Sequence, residues 1–259
     1  MTNPAGWYRG GDGGGLSVAG CSMGGMVRRA TGGGPVSRAR ARAGVKGARR
    51  PEVRLPPLEP WPGGELEPDG DYDGLELREL DLSGQDGVGA RFMDCALTGC
   101  AVEGTGLRRT RVLDSVLTGL RGVGTHLAES TFRDVELVDP RLGGTQMHGA
   151  VLERVVVRGG KIDYLNLREA RLRDVVFESC VLVEPDFAGA RLERVEFVGC
   201  AVKGADFGGA TLTDVDLRGA ASLEIVRGLD RLSGAVISTG QLFDLAPQLA
   251  AALGIRVED

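Results

Sequence analysis

The side chains best suited to chemistry are few, and their spacing does not bring them together. There are two histidines, His126 and His148. Neither has a Cys or carboxylate at a metal-ligand spacing, so both read as solvated surface residues on one side of whatever they are mounted on. Of the five cysteines, Cys95, Cys100, Cys180 and Cys200 recur at multiples of five residues. That regularity marks small buried hydrophobes rather than reactive thiols. Cys180 and Cys200 are expected to stack on one another; a bridge between them is conceivable, but a reduced intracellular protein needs none. The serines are scattered and form no nucleophile elbow. The Gly-rich strings, Gly122-Val123-Gly124 among them, do not open a helix after a strand and are not phosphate loops. Carboxylates are plentiful, yet nothing gathers them into a cleft that would perturb their ionisation. The expectation is a protein that is not an enzyme, with no metal, no cofactor and no small-molecule substrate.

The organising feature is a period of five. From Leu77, every fifth residue is apolar as far as Leu217, with only Gly87 and Gly122 breaking the run. Two residues before each of these centres the side chain is mostly small, as at Ala90, Cys95, Cys100, Thr105, Thr110, Ser115, Ala190, Cys200, Ala205 and Ala210. Two residues after, Gly recurs, which suits a sharp corner. A period of five matches neither the helical 3.6 nor the strand alternation of two. It means a stacked array whose units bury their apolar side only against neighbours. A second period, of twenty, appears in Val135, Val155, Val175, Val195 and Val215, and in Leu152, Leu172, Leu192 and Leu212. Four units per turn explains both periods, so each coil has four sides and equivalent sides stack.

Three units carry a resemblance: Ala205-Asp206-Phe207, Pro185-Asp186-Phe187 and Leu165-Asn166-Leu167. They are similar to the motif of the pentapeptide-repeat family, in which Ala or Cys, then Asp or Asn, then Leu or Phe precede two variable residues. The resemblance implies an all-β solenoid, a right-handed quadrilateral β-helix with the centre and the small residue pointing inward. Twenty residues per turn over the array gives about seven coils, about 34 Å at a strand spacing of roughly 4.8 Å. The departure from the motif lies one residue before each centre, which is often Arg, Val, Ala or Thr rather than Asp or Asn.

Four segments follow. Residues 1–50 are basic and rich in Gly, Arg and Ala, without periodicity, and read as a disordered tail. Within them Val18-Ala19-Gly20-Cys21 resembles a lipoprotein cleavage box but lacks the apolar run such a signal needs. Residues 51–76 form a Pro-rich, acidic lead-in, with Leu58 and Trp61 expected to cap the first coil. Residues 77–221 are the array. Residues 222–259 read as a C-terminal cap. There Ser238 and Gln241 make a capping box, and Pro247 starts a second short helix closed by Gly254. This end either covers the last coil or forms a homodimer, as the resemblance allows. No run approaches the roughly 20 apolar residues of a membrane span, so a cytoplasmic protein without membrane contact is expected. Charge is uneven: the first 54 residues carry a net +8 and the rest a net −13.

With no chemistry to place, the candidate sites are surfaces. Arg91, Arg111, Arg171 and Arg191 fall on one side, beside Asp94, Asp114, Asp134, Asp174 and Asp214, as a solvated ladder. Arg121, Arg141 and Lys161 form a basic column on another side. Asp186 and Asp206 form an acidic column that continues His126, Gln146 and Asn166. Val116, Val156 and Val176 occupy outward positions on the fourth side, flanked by Val138 and Val198, an apolar strip that suggests a partner site. The expected function is a non-catalytic, rigid protein–protein interaction scaffold for an unknown protein partner. The alternative, which the resemblance makes available, is a DNA mimic that binds or protects a type II topoisomerase, DNA gyrase. That role requires dense negative charge in place of phosphates, and the mixed signs of these columns argue against it.

Overall fold

The computed structural model describes residues 44–258; the readings made for 1–43, the cleavage box among them, lie outside the described residues. Within it the twenty-residue period becomes a parallel β-solenoid. Eight-residue strands repeat at Arg111–Thr118, Thr131–Val138, Val151–Arg158, Arg171–Glu178 and Arg191–Val198. They pair in parallel and in register, Val135 on Val155 on Val175 on Val195. Each strand bends where one residue enters the left-handed region: Asp114, Asp134, Arg154, Asp174 and Arg194, at φ between 48 and 57°. One strand therefore spans two walls. A third wall stacks Arg121–Val123, Arg141–Gly143, Lys161–Asp163, Val181–Val183 and Ala201–Asp206. The fourth is a ladder of single bridges running from Asp86 through Gly106, His126, Gln146, Asn166 and Asp186 to Asp206.

The core is the column of centres. Phe177 stacks on Phe197 at 5.0 Å between ring centroids and Phe187 on Phe207 at 5.1 Å, within the range of favourable offset stacking. The small inward position serves a second purpose where it holds a hydroxyl. Thr105, Thr110, Thr125 and Ser130 donate to the carbonyls of Leu82, Gly87, Val102 and Leu107 on the coil before, which satisfies polar groups that burial would otherwise leave costly. The four described cysteines are buried free thiols. Cys180 and Cys200 do stack, the Cys180 amide donating to the Cys200 sulfur at 3.4 Å.

The stack is longer than the motif. Pro60, Glu76, Ala96, Val116, Glu136 and so on to Val236 are successive partners on one wall, giving about nine turns rather than seven. The backbone ladder needs only extended geometry, so Glu59–Pro60 and Asp71–Asp73 join it before the side-chain pattern begins at Leu77. Ser222–Arg227 and Ala235–Val236 continue it past a one-residue insertion after Gly219. At the first coil Trp61 packs on Tyr72 and Tyr72 on Phe92, with centroids 5.0 and 4.8 Å apart.

At the other end lies a single helix, α1 (Thr239–Ala252), capped by Ser238 and Gln241 as expected. It runs through Pro247 instead of breaking there. The carbonyl left without its donor belongs to Phe243, which is exposed, so solvent can satisfy it and the usual objection to an interior proline weakens. The close at Gly254 has Schellman geometry, with Gly254 at φ 71° and the Ile255 amide donating to the Ala250 carbonyl at 2.8 Å. Gln241 donates to the Leu217 carbonyl at 2.8 Å, and Leu245 is buried against the core. Among the described residues no helix is long and apolar enough to cross a membrane.

Residues 44–50 depart from the expectation of a disordered tail. They lie along the outside of the second wall, where the Ala48 amide donates to Glu196 at 2.7 Å and the Arg49 amide to Asp174 at 3.1 Å. The Arg50 guanidinium donates to Glu178 at 3.0 Å. Pro51, next in sequence, is buried.

Candidate interaction surfaces

The basic column assembles as the twenty-residue period requires. Arg121, Arg141 and Lys161 are direct neighbours on adjacent strands of the third wall. Arg121 reaches the Gly99 carbonyl and Glu79, and Lys161 pairs with Asp163 at 2.7 Å. Arg141 is exposed and makes no ion pair among the described residues. Beside the column lies an open depression of about 580 Å³, lined by Gly122, Val123, Gly143 and Gly160 as well as Arg141 and Lys161. At Gly143 an added Cβ would lie against the Val123 side chain at 3.6 Å, so this glycine helps keep the depression open. Val123 is 62% exposed and Tyr164 58%, so the wall presents apolar and basic groups together.

The acidic column also stacks, Asp186 on Asp206 above Asn166, but its carboxylates have local work. Asp186 accepts from the Ala188 amide at 2.9 Å and from Arg168 at 2.9 Å. Asp206 accepts from the Gly208 amide at 2.7 Å. Asn166 accepts from the Arg168 amide at 3.1 Å. In each unit the residue before the centre closes the turn two residues on, which is the usual behaviour of Asp and Asn side chains. These groups are turn-formers before they are a surface.

The valine strip is not what the sequence suggested. Val116 and Val156 are separated on their wall by Glu136, and Val176 is followed by Glu196. Val138 and Val198 are separated by Arg158 and Glu178. Val116 and Val138 are half-buried and Val198 is exposed. Val156 and Val176, placed outward and open to solvent by the repeat, are 2% and 0% exposed. They point outward as the register demands and stand apart from the interior core; the carboxylates around them, Asp174, Glu178 and Glu196, are engaged by residues 48–50 of this chain.

The expected ladder does not form: among the described residues Arg111, Arg171 and Arg191 make no ion pair, and the pairs present run along one corner with other arginines. Arg154 grips Asp134 through two bonds of 2.6 and 2.7 Å, and Arg194 grips Asp174 through bonds of 2.7 and 2.9 Å. Arg194 and then the Arg49 amide hold the Asp174 carboxyl below the usual carboxylate range, against a burial that would raise it. Asp114 goes the other way: burial lifts it, with Asp134 and Asp94 on either side adding to the effect. Arg91 pairs instead with Asp71, one coil earlier. Sequence reasoning missed Arg154 and Arg194 as the pairing arginines, although both sit twenty residues after an Asp.

Both histidines are exposed, as expected. Burial pushes the Cys95 and Cys100 thiols up, away from the reactive thiolate. No group of three His, Cys, Asp or Glu among the described residues is arranged to hold a metal ion. What the geometry offers is relief, charge and hydrogen-bonding columns at fixed intervals.

Comparison with protein families agrees with this geometry. A pentapeptide repeat region model matches residues 90–167, and a model of pentapeptide repeats in eight copies matches 165–199 and 190–221. The chain is a pentapeptide-repeat protein. No curated protein matches it. Among solved structures, a trypsin-treated form of QnrB1, a plasmid-mediated fluoroquinolone resistance protein, is 21% identical over 74% of this chain and 93% of its own, with a TM-score of 0.35. HetL from the cyanobacterium Nostoc sp. Strain PCC 7120, a pentapeptide repeat protein involved in heterocyst differentiation regulation, is 20% identical over 68% of this chain and 93% of its own, with a TM-score of 0.30.

Proposed function

We propose that this protein is a non-catalytic, rigid interaction scaffold, and that the third wall is the face it presents to a protein partner. The observation that carries the reading is the coincidence, on one stiff sheet, of the Arg121, Arg141 and Lys161 column, the glycine-lined depression and the exposed Val123 and Tyr164. Basic groups set around a recess with apolar rims suit an acidic protein surface carrying an apolar knob. A rigid sheet also loses little conformational freedom when it binds. Four buried thiols fit a reducing compartment such as the cytoplasm.

The test is a pair of charge reversals, Arg141→Glu with Lys161→Glu, at exposed positions away from the core. The double variant should keep its far-ultraviolet circular dichroism and melting temperature, and should lose a partner that cross-links to the wild type in its host. A cross-linked set identical in the two proteins sinks the assignment of this wall. The same proteins added to a DNA gyrase supercoiling reaction separate the scaffold from the topoisomerase mimic. The scaffold reading expects unchanged supercoiling and unchanged quinolone inhibition, because columns such as Arg133, Glu153, Arg173 and Glu193 alternate in sign instead of repeating one.

A further inference from the structure

The second wall carries a feature that the scaffold reading does not use. We propose that its outer surface around Val156 and Val176 is a recognition site for an extended peptide bearing an arginine followed by proline, and that residues 48–51 of this chain fill it as an internal ligand. The inference goes beyond the scaffold reading and does not depend on it.

The site has a floor, a rim and an occupant. Val156 and Val176 form the floor, adjacent in register and closed off from solvent. The rim is acidic: Asp174, Glu178 and Glu196. Asp174 is only 1% exposed, and a carboxylate withdrawn from water so far requires partners. Arg194 supplies two hydrogen bonds and the Arg49 amide a third at 3.1 Å. Glu196 accepts from the Ala48 amide at 2.7 Å, and Glu178 accepts from Arg50 at 3.0 Å. Two of these contacts are to main-chain N–H groups, so they recognise an extended backbone rather than a side chain. Sequence preference then comes from Arg50, through its ion pair, and from Pro51, which is buried. Proline also holds the residue before it extended, the shape that a strap along the rod needs.

The occupant is tethered. Pro51 connects to the first coil strand at Glu59 through seven intervening residues, Glu52 to Leu58. A short tether keeps the segment at an effective concentration in the millimolar range. A separate peptide of the same chemistry therefore competes poorly until the internal one is weakened. Loosening the strap uncovers an apolar and acidic groove that is otherwise shut, which makes residues 44–51 a cover for the site they occupy.

The experiment uses the full chain and a fluorescent peptide copying residues 44–51. In the variant Arg50→Glu with Pro51→Gly, the strap is weakened while Val156, Val176 and the acidic rim stay intact. Fluorescence anisotropy should show this variant binding the peptide roughly tenfold or more tightly than the wild type does. A peptide carrying the Arg50→Glu change should bind neither protein. Equal binding to both proteins, or binding to neither, overturns the proposal. A second measurement needs no variant: in the wild type at neutral pH, the amides of Ala48 and Arg49 should exchange with deuterium far more slowly than those of a free chain. Free-chain exchange at both positions would likewise overturn it.

Discussion

At the residue scale, the two breaks in the apolar run show where side-chain pattern and backbone geometry part. By the motif, Gly87 and Gly122 are defects, and restoring an apolar centre should stabilise the coil. The structure says otherwise. A Cβ at Gly87 would lie 3.1 Å from Leu107 Cδ2 and 3.4 Å from Leu66 Cβ, so the space already belongs to Leu66, a lead-in residue buried in the core. A Cβ at Gly122 would meet the backbone nitrogen of Glu103 at 2.7 Å. Its coil is irregular in a second way. The hydroxyl of Thr145 is buried without a partner, whereas Thr105, Thr110, Thr125 and Ser130 each reach the carbonyl 23 residues back. For Thr145 that carbonyl would be Gly122's. We therefore expect Gly122→Val to destabilise the protein by about 1–3 kcal/mol, the usual cost of overpacking, as a fall in melting temperature. A rise would show that the coil relaxes to accept the motif. In contrast, Phe187→Ala follows the motif's logic. Phe187 is fully buried between the Phe207 face and the Phe197 edge, and its loss should cost about 3–5 kcal/mol in denaturant unfolding.

At the element scale, the walls were legible in the sequence and the coverings were not. Periods of five and twenty report what each residue faces inside the coil, and Val155 does lie on Val175. They say nothing of which outward face another part of the chain lies on, so Val156 and Val176 read as open. Residues 44–51 carry no periodicity, and their order comes from carboxylates more than a hundred residues away. Similarly, Pro247 reads as a helix start because local rules cannot know that Phe243, one turn earlier, lies on the exposed side of the helix. The strap also has a predictable pH dependence. Arg50 is the main cause holding Glu178 below its ordinary pKa, as Arg194 is for Asp174. A depressed folded pKa means a contribution fully present above the ordinary carboxylate range and lost as pH falls through the folded value. The methyl resonances of Val156 and Val176 should accordingly hold constant from pH 7 to about pH 5 and shift toward solvent-exposed positions below about pH 4. A transition near neutrality would point to some other group.

At the scale of the whole solenoid, the two ends solve the same problem unequally. A parallel stack must finish somewhere, and an uncovered last coil invites pairing with another chain. Trp61, Leu66 and Tyr72 close the first coil with side chains packed on the core. The last coil is closed by α1, whose Gln241 and Leu245 face inward, but its other side is apolar as well. Leu242 is 47% exposed and Phe243 72%, and Leu253, Ile255 and Val257 follow them into solvent. A helix that is apolar on both sides has one face left to bury. A two-fold contact, which sets the same surface against itself, would bury that face against a second copy. We predict an end-to-end dimer through α1. Sedimentation velocity should give a dimer for the wild type at micromolar concentration and a monomer for Phe243→Lys, with the melting temperature of the coils little changed because Phe243 touches none of their core. If the wild type sediments as a monomer throughout that range, α1 is a cap alone, and its exposed face belongs to a different partner.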